Sequence, residues 1–274
     1  MFHMSEAHDV SKGPEPHRHF VQFYKADEPL LNRNVASFLW DGLLRGDGLL
    51  VIATEQRRES LASHLERLGA DVGLARREGQ LAMFDAQEML SRIMPDGWPD
   101  RERFEHAIGD AIRLCSPRAG SGAVCAYGEM VGVLWQDRQI DAAIVLEEFW
   151  NQALHRGGLQ LFCGYPIDVF ADDLHKSQVH DVLRAHTHFL PTGPNGDLGD
   201  ALNRAMDEVL DAGAEEVRVS MKASVSSLAV ALPDAEKTIL WLRNHIPDHA
   251  ENILVRARGY YEATRPPRCA AESA

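Results

Sequence analysis

Four polar side chains close two short apolar runs of this sequence. Ala123–Tyr127 leads into Gly128 and Glu129, and Leu159–Gly164 carries Cys163 and leads into Tyr165. A carboxylate, two phenols and a thiol at neighbouring strand ends could line a mixed polar and apolar crevice, because ligands of open α/β sheets bind beyond the carboxyl ends of the strands. Glu129 would accept hydrogen bonds from a ligand; the competing reading is an acid facing the dipole of its own helix. Tyr127 is equally a core tyrosine with its hydroxyl satisfied by the protein. Cys163 is a redox or electrophile sensor only where its thiolate is stabilised, and otherwise a small apolar filler. Glu147, Trp150 and Asn151 share one helix face at i, i+3 and i+4. Beside Leu146 and Phe149, Glu147 is expected to be partly buried and paired with a histidine or arginine.

Six histidines bracket this region: His17, His19, His175, His180, His186 and His188. With Cys163, Glu55 and Glu129 they offer the donor types of a metal site. No pair of them has HxxxH or HExxH spacing, and His186 and His188 are expected on different faces of one helix. They are therefore read as solvated or hydrogen-bonded, except His19, which begins the first strand and is kept as a candidate contact; no metal and no cofactor is expected. A GxSxG elbow and CxxC pairs are absent, so no catalytic residue is assigned.

The elements that must position these groups alternate along the chain. His19–Tyr24 alternates and is rich in aromatics, which predicts the first strand. Leu49–Ala53 is almost wholly apolar, as a strand buried on both faces of a parallel sheet would be, and it ends at Thr54 and Glu55. Leu81–Phe84 is a further short strand. Helical spacing covers the segments between them, including Arg57–Leu68, Arg101–Cys115 and Leu174–Phe189. Strand and helix in turn are the signature of a parallel α/β domain. Thr192–Gly196 is the best boundary in the chain. Beyond it apolar stripes such as Leu198, Leu202 and Met206 predict a small helical module over 197–262, although Val217–Met221 also alternates as a strand would. Residues 1–16 are expected to be a mobile arm and 263–274 a disordered tail.

The sequence has 274 residues, with 28 Lys and Arg against 41 Asp and Glu, a formal charge of −13. That field disfavours nucleic acid and anionic lipid surfaces. Four cysteines without zinc-ligand spacing suit reduced thiols, and no signal peptide or membrane-spanning run is evident, so the expected compartment is the cytoplasm.

The run FLWDGLLRGDGLLVIATEQRRESL resembles the second strand and its flanks in RecA/KaiC-type ATPases. The phosphate loop of those enzymes should follow the first strand, where this chain has Tyr24-Lys-Ala-Asp-Glu-Pro29, with neither glycine nor a Lys-Ser/Thr pair. Glu55 falls where KaiC-type enzymes carry a catalytic glutamate, but its partner loop is missing. A fuller resemblance is to the MEDS domain, the methanogen/methylotroph, DcmR sensory family, over about residues 17–190. It rests on His19 with Phe23-Tyr24, on AYGEMV, LEEFWN and LFCGYP, and on the ending near His186-Thr-His188. The resemblance implies a RecA/KaiC-like scaffold without its ATP loop. It also implies a bacterial signalling role in sensing small organic molecules, and a partner such as a histidine kinase.

The expected protein is thus a mostly parallel α/β sheet flanked by helices, followed by a small helical module. Its expected function is cytoplasmic regulation through a small organic ligand or a signalling partner, without catalysis. A divergent nucleotide hydrolase using Glu55 and Glu129 with a metal, and a pure interaction module, are the alternatives. The ligand contacts expected at one sheet edge are His19, Tyr24, Glu55, Tyr127, Glu129, Cys163 and Tyr165, with Glu147 nearby. A homodimer would use the C-terminal apolar stripes. Glu129→Ala is expected to weaken a ligand response without unfolding the chain.

Overall fold

The computed structural model describes residues 18–25, 28–115, 122–171, 177–193, 196–225 and 232–264. The expected arm and nearly all of the expected tail lie outside them, as do His17, Leu174, His175 and Cys269. Strand β1 (His19–Phe23) is followed by α1 (Glu28–Arg45), β2 (Gly48–Ala53), α2 (Glu55–Leu68), α3 (Val72–Arg77) and β3 (Leu81–Asp85). Then come α4 (Ala86–Ile93), α5 (Arg101–Leu114), β4 (Val124–Gly128), α6 (Met130–Gln136), α7 (Ile140–His155) and β5 (Leu159–Tyr165). The domain closes with α8 (Ser177–Ala185) and β6 (His188–Leu190). The helices beyond are α9 (Asp197–Leu210), α10 (Ala214–Val225), α11 (Asp234–His245) and α12 (Pro247–Ala263).

All six strands are parallel, in the order β3-β2-β4-β5-β1-β6. Every residue of β2 and β4 is buried, which is why both runs are apolar without alternation. Period-two geometry sends Leu50, Ile52, Ala126, Leu161, Cys163 and Phe23 to one face, against α4 to α8. Leu49, Val51, Cys125, Tyr127 and Phe162 go to the other, against α1 to α3. The crossovers after β1 and β2 therefore lie on one face, and those after β4 and β5 on the other. That reversal opens the sheet at the carboxyl ends of these four central strands.

One element departs from expectation. The helix foreseen over Leu174–Phe189 stops at Ala185, and His188–Leu190 is a strand beside β1. Phe189 packs edge-on against Phe23 with ring centroids 4.8 Å apart, and His188 lies 4.8 Å from Phe20. Pairing with β1 and these ring contacts outweigh the local helical spacing. The alternating stretch Val217–Met221, in contrast, is helical and belongs to α10.

The C-terminal helices share the core of the α4–α8 face: Leu198, Leu202, Met206, Ile239, Leu242, Ile253 and Leu254 join one continuous apolar cluster with it. The segment expected to be a linker is docked at its start. Thr192 is fully buried, its amide donates to Glu236 Oε1 at 2.8 Å, and its carbonyl accepts from the Tyr261 hydroxyl at 3.3 Å. Arg243 donates to the carbonyls of Phe170 and Ala171 at 2.8 and 2.6 Å, and Arg258 pairs with Asp168. These bonds fasten the helices to the segment that follows β5.

Candidate functional site

A crevice of about 450 Å³ lies where the central strands end. Tyr24 enters from β1, Thr54, Gln56 and Arg57 from the start of α2, and Pro166 from the end of β5. Glu129, Val133, Trp135 and Arg138 come from the α6 side. Arg57 and Glu129 form its floor. Arg57 is 5% exposed and Glu129 3%. Arg57 Nε donates to Glu129 Oε1 at 2.9 Å, and Thr54 donates to Glu129 Oε2 from both its amide and its hydroxyl, each at 2.9 Å. The guanidinium also reaches Glu28 at 2.9 Å, donates to Asn32, and lies 5.0 Å from the Tyr24 ring centroid. A buried charge pair is tolerable only when hydrogen-bonded in this way. Burial, with Glu129 nearby, pushes the Tyr24 phenol above its ordinary range.

Neither helix start is satisfied in the ordinary manner. Thr54 precedes α2, yet its side chain makes no capping bond and turns to Glu129 instead. Glu129 precedes α6 and makes no cap there either; its carboxylate serves the start of α2. The reading of Glu129 as an acid for its own helix is corrected accordingly. At the rim, Arg138 holds φ +61°, a conformation that non-glycine side chains seldom adopt.

A second polar cluster lies on the α7 and α8 side of β1 and β5. His19 Nε2 is 3.4 Å from Cys163 Sγ and 3.4 Å from Glu147 Oε2. His186 Nε2 is 3.4 Å from Glu147 Oε1, and the two imidazole centroids are 3.9 Å apart. The Tyr165 hydroxyl donates to Glu147 Oε1 at 2.7 Å. These side chains are at most 1% exposed. Burial lowers His19 to about 4, against the hydrogen bonds of Asn151 and Ala185, and lowers His186 well below the usual histidine range. Burial raises Glu147 to about 7, opposed by Tyr165 and Cys163, and lifts the Cys163 thiol and Tyr165 phenol well above their ordinary values. The histidines thus approach Glu147 at ion-pair distance but as neutral rings.

The expected contacts consequently divide. Tyr24 and Glu129 line the crevice. Glu55 is exposed in the first turn of α2, outside the lining. Tyr127 is fully buried on the α1–α3 face, and its hydroxyl has no hydrogen-bond partner among the described residues. His19 begins β1 instead of ending it, so it does not reach the carboxyl edge; it joins Glu147, Cys163 and Tyr165 below. Two histidines, His19 and His186, approach the Glu147 carboxylate, each to 3.4 Å. Arg57 was missing from the expectation, although it shares the stripe of Leu61 and Leu65, where a charge on an apolar face is itself a signal. Trp135 and Arg138 carry no comparable mark, whereas His186 stands among the six histidines of the sequence.

A family model for the MEDS domain, the MEthanogen/methylotroph, DcmR Sensory domain, matches residues 18–187. The chain belongs to that family, and membership points to a sensory or regulatory role. Searches of curated proteins and of solved structures found no match. No helix among the described residues is long and apolar enough to cross a membrane.

Proposed function

We propose that this chain is a cytoplasmic signal-transduction protein whose MEDS domain senses a small polar organic ligand in the strand-end crevice, without covalent chemistry. The observation that carries the reading is the buried Arg57–Glu129 pair at the floor of an open crevice, at the point where the crossovers change face. Two further cations, Lys25 and Arg138, and the apolar wall of Val133, Trp135 and Pro166 favour a ligand that combines a carbon skeleton with an acidic or other oxygen-rich group. Only residues 24–27 separate β1 from α1, too few for the eight-residue phosphate loop of a nucleotide hydrolase. A ligand need only bind one conformer better than another to act as a signal. The route outward is short: Pro166 touches the crevice, and Asp168, Phe170 and Ala171 are gripped by Arg258 and Arg243 of the C-terminal helices. Those helices, or a partner such as a histidine kinase docked on them, would report occupancy.

Calorimetry against a panel of small organic acids, alcohols and amines, with magnesium–ATP as a further arm, tests this. Saturable binding of a panel member, weakened about tenfold or more by Arg138→Ala with unfolding unchanged within about 0.5 kcal/mol, is the expected result. Tight magnesium-dependent ATP binding would replace the sensor by the hydrolase reading. No binding of any member, with the fold intact, would leave the interaction module.

A further inference from the structure

We propose that His19, Glu147, Cys163 and His186 form a binding site for one divalent transition metal, with zinc the best chemical match. The four donor atoms lie within 4.8 Å of one another. His19 Nε2 lies 3.4 Å from both Cys163 Sγ and Glu147 Oε2, and His186 Nε2 lies 3.4 Å from the other carboxylate oxygen, Glu147 Oε1. A tetrahedral zinc with bonds of about 2.0–2.3 Å needs donors roughly 3.3–3.7 Å apart, so a contraction of about 1 Å across the widest pair completes the shell.

The imidazole tautomers are fixed by groups that can only accept. His19 Nδ1 lies 3.0 Å from the Ala185 carbonyl, and His186 Nδ1 lies 2.6 Å from the Val182 carbonyl. Each Nδ1 therefore carries the proton, and each Nε2 turns a lone pair into the cluster. This is the outer-shell arrangement that orients metal-binding histidines. His186 Nε2 is buried without a hydrogen-bond partner among the described residues, an orphan that an ion would satisfy. Tyr165 holds the carboxylate from behind at 2.7 Å, as second-shell donors do. Charge agrees as well: a thiolate, a carboxylate and two neutral imidazoles around a dication sum to zero, the balance a site this dry requires. Imidazole with thiolate selects zinc over magnesium or calcium, which take oxygen shells.

The test begins with elemental analysis of the untagged chain purified from zinc-supplemented cells. One metal per chain is expected, together with an unfolding midpoint that falls on chelation and recovers with zinc. After exchange to cobalt, a thiolate-to-metal charge-transfer absorption should appear and should vanish in Cys163→Ser, while His186→Ala should lower affinity about tenfold or more. The proposal is overturned by sub-stoichiometric metal after incubation with excess zinc. An unfolding midpoint indifferent to chelator also sinks it, and that arm needs no variant to fold. Cobalt bound without charge transfer, or retained by a folded His19→Gln, His186→Gln double variant, would place the metal elsewhere. None of these readouts depends on ligand binding in the crevice.

Discussion

The crevice and the histidine cluster flank the same pair of strands, β1 and β5, yet they handle polarity in opposite ways. The crevice is open to water and keeps full charges, because Arg57 and Glu129 neutralise one another through directed hydrogen bonds. The cluster is sealed. There burial lowers His19 and raises Glu147 until both are near neutrality in the absence of a counter-ion. Open sites hold charges by pairing them, and closed sites hold them only by discharging them or by receiving an ion. On the readings proposed above, the two polar groupings take different partners, one a ligand that comes and goes, the other a resident ion.

The sharpest way to break this contrast is to remove one member from each side. Glu129→Ala strands Arg57, whose remaining carboxylate partner Glu28 is largely exposed, and should cost about 3 kcal/mol in denaturant unfolding. A loss of that size leaves a domain of ordinary stability folded, as expected of this substitution, but less stable. Glu147→Gln should cost much less in the metal-free protein, and equal losses would erase the distinction. Next in size, Gly132→Ala would place a methyl carbon 2.6 Å from the Gly164 carbonyl oxygen, where α6 backs onto β5. A loss of about 1–3 kcal/mol is expected, with a displaced crevice wall seen as altered Trp135 fluorescence. Tyr165→Phe removes one donor from Glu147 and should cost about 1–2 kcal/mol, leaving crevice affinity unchanged if the two sites are independent.

Glu236 gives the smallest effect and an independent gauge of the dry-site rule. Burial holds its carboxyl above the usual range. A folded-state value above the unfolded one means that stability falls as pH rises from about 4 toward the folded value. Glu236→Gln keeps an acceptor for the Thr192 amide and does not titrate. Its unfolding midpoint should match the native chain near pH 4 and exceed it at pH 8; a gap that is constant with pH would contradict the rule.

Much of the architecture was legible in the order of residues. Wholly apolar runs marked β2 and β4, and Gly128-Glu129 marked a strand end that does reach the crevice. What could not be read is the depth at which a side chain sits along its strand. His19 and Tyr24 are five positions apart on one run, and this parity and distance send them to opposite faces and opposite ends, one to each site. His186 was visible among the six histidines, but its position was not, for a different reason. Its place is set by the end of α8 and the turn into β6, and a strand three residues long has too little pattern to announce itself. Arg57 was the signal overlooked, since a cation on an apolar stripe demands a buried partner.

The brevity of β6 bears on how other chains can approach. It is an outer strand of the sheet, only His188–Leu190, and it runs directly into Pro191, whose nitrogen carries no hydrogen. A neighbouring polypeptide seeking to lengthen the sheet there finds almost no template of free amides and carbonyls. Association on that flank is thereby confined to side-chain recognition, and runaway edge-to-edge polymerisation is discouraged without any charged guard residue on the strand itself.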